Sequence, residues 1–204
     1  MTVALLAERE TRVRMDPRTR KSLILASARE LFAESGYSGT GMAEIARRAQ
    51  VSKTLLYHYW PEGRPEILVA VMDQILERVT ALTGAALALP LEPSRRIDRL
   101  VVDFMGYFED HPQDYRILFT EPWGTAEPRI VSRAVLAGKE LTSMLIVTLA
   151  GTGADAEVLL ATTGGIVGLL LSLTEAVLSG QVAAETAAET ASAFIGGGLA
   201  RLRP

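Results

Sequence analysis

The sequence predicts an all-α protein, with a small three-helix unit at the N-terminus and a larger helical body behind it. Three observations lead there. Apolar residues recur at helical spacing almost throughout, no run alternates apolar and polar residues as a half-buried strand would, and Pro and Gly gather at a few points that divide the chain into about nine segments. The 204 residues, 49% apolar and 22% charged, suffice for one domain or two small ones and exclude wholesale disorder.

The elements follow in order. Ile24, Ala28, Leu31, Phe32 and Ser35 fall on one face of a first helix, and Gly36 stands where a left-handed C-cap is expected. A short second helix turns Met42, Ile45, Ala46 and Ala49 inward, with Thr40 and Gly41 at its start. Gln50 makes the turn and Val51 follows it. Ser52 is an N-cap for a third short helix over 53–59, whose Leu56, with Trp60 after it, points to the core. Pro61, Gly63 and Pro65 mark the break to the body.

There, Leu68, Val71, Ile75, Val79 and Leu82 stripe a long helix, and 89–94 is a proline-bearing linker. Ile97, Leu100, Val101, Phe104, Met105 and Phe108 stripe the next helix, which stops before His111-Pro112. A short segment, 113–120, leads to a loop at 121–124. Ile130, Ala134, Ala137, Leu141, Met144 and Thr148 mark another helix. After a loop at 151–153, Asp155 can cap the penultimate helix, and the last puts Ala191, Phe194, Ile195, Gly198, Leu199 and Leu202 on one side.

Composition removes several function classes. With no cysteine there is no disulfide scaffold, zinc–thiolate site, iron–sulfur cluster or thiol nucleophile, and two histidines (His58, His111) leave little for a metal site or a proton relay. No cofactor or metal is implied. Residues 1–7 lack the basic leader of a signal peptide. The uncharged stretch 158–174 is short for a bilayer span and broken by Thr162, Thr163, Gly164, Gly165, Gly168 and Ser172, so it reads as a buried helix of a soluble, cytoplasmic protein with no membrane partner.

The net charge of −3 is unevenly distributed: residues 1–66 carry +3 and residues 67–204 carry −6. A basic module on an acidic body is one reading, and a chance fluctuation at this chain length is the other. Residues 36–60 decide between them. Two short amphipathic helices joined by a tight turn form a helix-turn-helix, with a motif at about 41–60. The exposed face of the second helix would carry Lys53, Thr54, Leu55, Tyr57, His58 and Tyr59, side chains suited to phosphates and base edges. A helical hairpin with an aromatic surface would show the same pattern.

ILASARELFAESGY (24–37), Thr40, AEIARRA (43–49) and VSKTLLYHYW (51–60) resemble the tetracycline-repressor (TetR) family of bacterial transcriptional regulators, closely over 18–68 and beyond that in helical layout alone. The resemblance implies a DNA-binding domain over 18–65, a ligand-binding and dimerisation domain over 66–204, and an N-terminal arm over 1–17. It implies Lys53, Thr54 and Leu55 against base edges, with Leu55 reading a thymine methyl. Thr40, Tyr57, His58 and Tyr59 would lie near phosphates, while Gly41 caps the second helix and Ala43 faces the groove. The arm's Arg9, Arg12, Arg14 and Arg18 could add minor-groove or phosphate contacts, or simply extend the first helix into solvent. Three departures stand out. Gln50 occupies a turn position usually held by Gly, which a helix tolerates if no left-handed conformation is needed there. Gly41 replaces a common Ser or Thr, and Arg64 sits one residue beyond the family's basic position.

For the body, the resemblance implies an effector site and a homodimer. Pocket candidates are Phe104, Met105, Tyr107, Phe108, Tyr115, Phe119, Trp123 and Met144, which equally suit a plain core; Arg116, Glu121, Arg129 and Arg133 lie nearby as possible polar anchors. Such a site suits an apolar or amphipathic small molecule. The Ala-, Gly- and Leu-rich segments 156–179 and 184–202 offer Gly165, Leu169, Leu173, Phe194, Ile195 and Leu199 to a second subunit. The expected partners are therefore operator DNA, a small-molecule effector and a second copy. An α-helical enzyme is the competing class. It lacks a Gly-x-Ser-x-Gly elbow, a His-Glu-x-x-His pair and a third glycine after Gly151-x-Gly153. A non-specific architectural DNA protein is disfavoured by the modest +3 of the basic half.

Overall fold

The structure, a computed structural model, describes residues 16–150 and 153–200; among these there is no strand. The arm's Arg9, Arg12 and Arg14, Gly151 of the loop and Leu202 lie outside the described residues. Helix α1 (Pro17–Gly39) opens with Asp16 as N-cap, its carboxylate accepting from the amides of Arg18 (2.9 Å) and Thr19 (3.0 Å), and with Pro17 where its missing N–H costs nothing. Arg18 is thus an exposed residue of the first turn. The helical path breaks at Gly36, whose φ of 67° and ψ of 176° suit glycine alone. Ser35, expected on the inner face, is exposed because it sits at this break.

Helices α2 (Met42–Arg48) and α3 (Lys53–Tyr59) complete the head. Their turn is a Schellman cap: the Val51 amide bonds the Ala46 carbonyl (2.9 Å) and the Gln50 amide bonds the Arg47 carbonyl (3.2 Å). Gln50 has a φ of 54°, the sole non-glycine with positive φ among the described residues. The expectation that this turn could avoid a left-handed residue is therefore corrected. Ile24, Ala28, Leu31, Phe32, Ile45, Leu56 and Trp60 form the head's core.

Helix α4 (Arg64–Leu87) starts in the head and runs unbroken into the body, its Ile67, Val71, Ile75 and Val79 fully buried and Leu82 half-buried. It packs on α1, on α5 (Pro93–Asp110) and on α7 (Pro128–Leu149). Between the last two, the short segment before the expected loop is α6 (Pro112–Tyr115) and a π-turn (Arg116–Thr120), and the expected loop is itself a 3₁₀ turn (Glu121–Gly124). Ile117, Leu118 and Pro122 are buried there, and that burial is what holds the segment down. Helices α8 (Ala156–Leu178) and α9 (Ala184–Ala200) close the body. Asp155 stands at the N-cap of α8, but its side chain makes no capping bond. Each of these two helices buries a single stripe: Leu159, Thr163, Ile166, Leu170 and Thr174 on α8; Ala187, Ala191, Ile195 and Leu199 on α9.

Candidate nucleic-acid interface and ligand cavity

Helix α3 is held from beneath and open above. Ser52 Oγ accepts the Leu55 amide at 3.1 Å, and Leu56 and Trp60 are buried. Lys53, Thr54, Tyr57 and His58 are exposed, and Leu55 is half-buried. Tyr59 is half-buried: its ring meets Trp60 edge-on (5.7 Å between centroids), and Lys21 Nζ of α1 stands 4.9 Å from its centre. Gly41 and Ala43 are exposed at the start of α2. Arg47 pairs with Glu44, and Arg48 reaches Glu34 (2.7 Å) and Glu30 on α1, holding the Glu34 carboxyl below its ordinary pKa. Those two arginines are thus partly neutralised. Lys53 carries no such partner among the described residues.

Two of the expected DNA-facing residues serve the fold instead. Thr40 is 1% exposed, and its hydroxyl bonds the carbonyls of Gly36 (2.8 Å) and Leu31 (3.1 Å), so it has none left to offer a phosphate. Arg64 donates to the Thr40 carbonyl at 2.9 Å and lies 4.1 Å over the Tyr37 ring, fastening the start of α4 to the end of α1.

A buried charge, unremarked in the sequence, joins head to body. Asp114 on α6 is fully buried. Arg29 of α1 grips it with Nε at 2.6 Å and a second nitrogen at 2.8 Å, Tyr107 of α5 donates its hydroxyl at 2.6 Å, and Arg78 of α4 stands at 3.8 Å. Burial and the hydrogen bond to Asp114 push the Tyr107 phenol up to about 12. Nearby, Glu121 accepts the Tyr37 amide at 3.2 Å and lies so close to Gly36 that a Cβ there would be 3.3 Å from its oxygen. The signal for Asp114 was available: an acid at a helical spacing that turns it in with Ile117 and Leu118.

The pocket candidates separate in space. Phe108, Tyr115 and Phe119 pack on one another with centroids 5.3–5.8 Å apart, and Phe104 meets Phe108 at 5.0 Å. Burial raises the Tyr115 phenol, whose hydroxyl donates to the Leu171 carbonyl at 2.8 Å. Tyr107 stacks on His111 at 4.7 Å, outside this cluster's centre. Met105 points to a groove between α5 and α9. Trp123 is 62% exposed on the 3₁₀ turn and is no pocket residue, because buried Pro122 beside it takes the inward place. Nor are the expected anchors: Arg116 bonds Glu121, Arg129 pairs with Glu62, and Arg133 with Asp73 and Glu140, all as surface ion pairs.

What the body does form is a partly open cavity of about 20 Å³ lined by Thr83, Leu100, Phe104, Leu141, Leu145, Val167 and Leu170. Only Phe104 was foreseen. The others lie at helical spacing on the buried stripes, but no composition signal separates a cavity wall from an ordinary core. Met144 borders this region, its methyl 3.5 Å from where a Cβ on Gly84 would sit.

On the outside, α8 and α9 form an apolar groove of about 290 Å³ lined by Thr162, Gly165, Ile166, Leu169, Phe194, Ile195 and Gly198. Phe194 is 70% exposed, while Ile195 is the floor. Leu199 is buried within the chain, and Leu173 packs half-buried against its core, so neither lines the groove as expected. Helix α8 is long and apolar enough to cross a membrane, with a mean hydropathy of 1.8, yet only 22% of that stretch is buried within the chain.

The described residues thus form a helix-turn-helix head and a helical body that share α4. Residues 24–71 match the family described as bacterial regulatory proteins, tetR family. That match spans the head from α1 onward and the first turns of α4. It is 30% identical over 123 residues to the HTH-type transcriptional activator FasR of Mycolicibacterium smegmatis, covering 60% of this chain and 55% of that one. It is 26% identical over 98 residues to the HTH-type transcriptional regulator EthR of the same species, covering 48% of this chain and 45% of that one. The chain thus spans about half the length of the curated relatives it matches. A TetR-like transcriptional regulator from Rhodococcus sp. RHA1 shares the fold, with a TM-score of 0.73 at 21% identity over 92% of this chain and 99% of that one.

Proposed function

We propose that this protein is a sequence-specific DNA-binding transcriptional regulator that works as a homodimer and represses until a small-molecule effector releases it from its operator. One observation carries the DNA-binding part: α3 presents Lys53, Thr54, Tyr57 and His58 to solvent, with the unpaired Lys53 at its N-terminal end, while Leu56 and Trp60 anchor it below. A recognition helix in a major groove needs that division. The uncovered face of α8 and α9 supports pairing with a second copy, since an apolar surface of that kind is costly to leave in water. Two-fold pairing would put two copies of α3 on one side of the dimer, so the operator is an inverted repeat with half-site centres about 34–36 Å apart or a multiple of it.

Coupling runs through α4 and the head-to-body contacts of Asp114 and Glu121. A ligand weakens DNA binding only by its difference in affinity between the two conformations, and a tenfold release needs about 1.4 kcal/mol. Retardation of the protein's own upstream DNA in a gel, repeated with candidate effectors, tests the proposal. A purified dimer that retards no such fragment at low salt refutes it.

A further inference from the structure

Thr83 lies within α4, 3% exposed, with no hydrogen-bond partner for its hydroxyl. A helical threonine has a ready remedy, which is to bond the carbonyl one turn earlier. Thr80, Thr142, Thr148, Thr163 and Thr190 all do so at 2.7–3.0 Å. Thr83 does not, and it is the one polar side chain on the cavity wall. Water is a poor solution: a cavity of about 20 Å³ has room for one molecule, but a buried water needs two to four polar partners. An unpaired hydroxyl in an apolar recess fits a ligand oxygen better.

We infer that the effector is an uncharged, mostly hydrocarbon molecule bearing one oxygen, an alcohol, ketone or ether, which hydrogen-bonds Thr83. The inference rests on the regulator reading above in supposing that an effector exists. Six apolar side chains make up the rest of the wall, so a carboxylate or ammonium group would be buried unpaired there. The recess is not sealed, so the skeleton would extend from Thr83 out through its mouth. Met144, whose methyl lies 3.5 Å from where a Cβ on Gly84 would sit, is flexible enough to move aside for it. The position also suits a sensor, because Thr83 is on the helix that begins in the head, about 28 Å along its axis from Arg64.

The test uses the full chain and four probes on one C8 skeleton: 1-octanol, 2-octanone, octanoate and octylammonium. The alcohol and ketone should raise the melting temperature with saturable binding, and the two ions should bind at least about tenfold more weakly. Thr83→Val should itself melt about 2–4 °C higher than the native protein, having lost an unsatisfied group. It should also lose about tenfold in octanol affinity, which Thr83→Ser retains. A valine variant that melts lower shows the hydroxyl to be bonded in solution and overturns the inference. So does octanoate or octylammonium binding as well as octanol, or no probe binding up to its solubility. Gel retardation of the upstream DNA on the same samples separates the two claims. Thr83-dependent binding without any change in DNA affinity refutes the regulator reading and leaves the site standing; DNA release by a charged effector alone does the reverse.

Discussion

The outward face of α3 and the outward face of α8 and α9 are both uncovered within one chain, yet they are built from opposite materials. On α3, the exposed groups each carry a polar handle: an ammonium on Lys53, hydroxyls on Thr54 and Tyr57, an imidazole on His58. On α8 and α9, the exposed groups include Val158, Leu160, Phe194 and a run of glycines that lets a neighbouring helix approach. The first surface suits a hydrated, charged partner met reversibly through individual hydrogen bonds. The second suits permanent burial, where energy scales with apolar area and no single contact dominates. The proposed function thus gives one chain two kinds of interface, and they should fail differently when mutated.

The largest effect is expected on the apolar face. Leu169→Arg and Phe194→Arg together would place charge in the groove that the proposed dimer buries, costing on the order of 3–5 kcal/mol. Sedimentation should show a dimer for the native protein and monomers, or insoluble protein, for the variant. A soluble dimer of native strength would break the comparison at its root.

Next comes the buried charge that ties the two parts together. Asp114→Ala strands Arg29 without its partner, and loss of one half of such a pair costs about 3 kcal/mol, enough for a clear fall in melting temperature. Tyr107 adds a pH signature. Its folded pKa, raised to about 12, exceeds the ordinary tyrosine value of about 10, so its contribution is complete below pH 10 and is lost as pH rises through 12. Tyr107→Phe should flatten that alkaline decline in a melting curve series.

The polar face should respond in smaller, separable steps. Lys53→Ala and Tyr57→Ala are each expected to weaken operator binding by about tenfold without altering the helical circular dichroism. Loss of Lys53 should also reduce the salt dependence by about one charge if it meets a phosphate. Native affinity in the double variant would mean that another surface reads DNA.

The same contrast explains what the sequence could and could not tell. The head was legible because its signals are local: the Ser52 cap, the Leu56 and Trp60 anchors and the alternation of buried and exposed residues along one short helix. Thr40 misled because a hydroxyl beside a helix start can turn either way, and only the position of Leu31 and Gly36 decides it. In the body, Phe104 and Trp123 looked alike as aromatic pocket candidates. One is 4% exposed and the other 62%, a difference set by how a π-turn and a 3₁₀ turn fold the segment, which no periodicity announces. Thr83 was invisible for a related reason: its meaning lies in a bond that is not made.

The smallest expected effect concerns the turn that aims α3. Two Schellman caps occur in the body and head with the same bonds. At the end of α8, the Gln181 amide meets the Ala176 carbonyl and Gly180 meets Val177, both at 2.9 Å, and the left-handed residue is Gly180 with φ 74°. At the end of α2, the equivalent place belongs to Gln50 with φ 54°. A side chain in that conformation costs about 1–2 kcal/mol, and glycine's greater freedom when unfolded offsets about 0.5–1 of it. Gln50→Gly should therefore stabilise the protein by roughly 0.5–1 kcal/mol, seen as a rise of a few degrees in melting temperature, and Gly180→Ala should lower it. Operator affinity makes the pair informative. If Gln50→Gly is more stable and binds DNA as well as before, the glutamine is a tolerated defect. If stability rises while affinity falls, the exposed amide beside α3 belongs to the polar interface, and the strain at this turn is maintained by what it contributes to DNA binding.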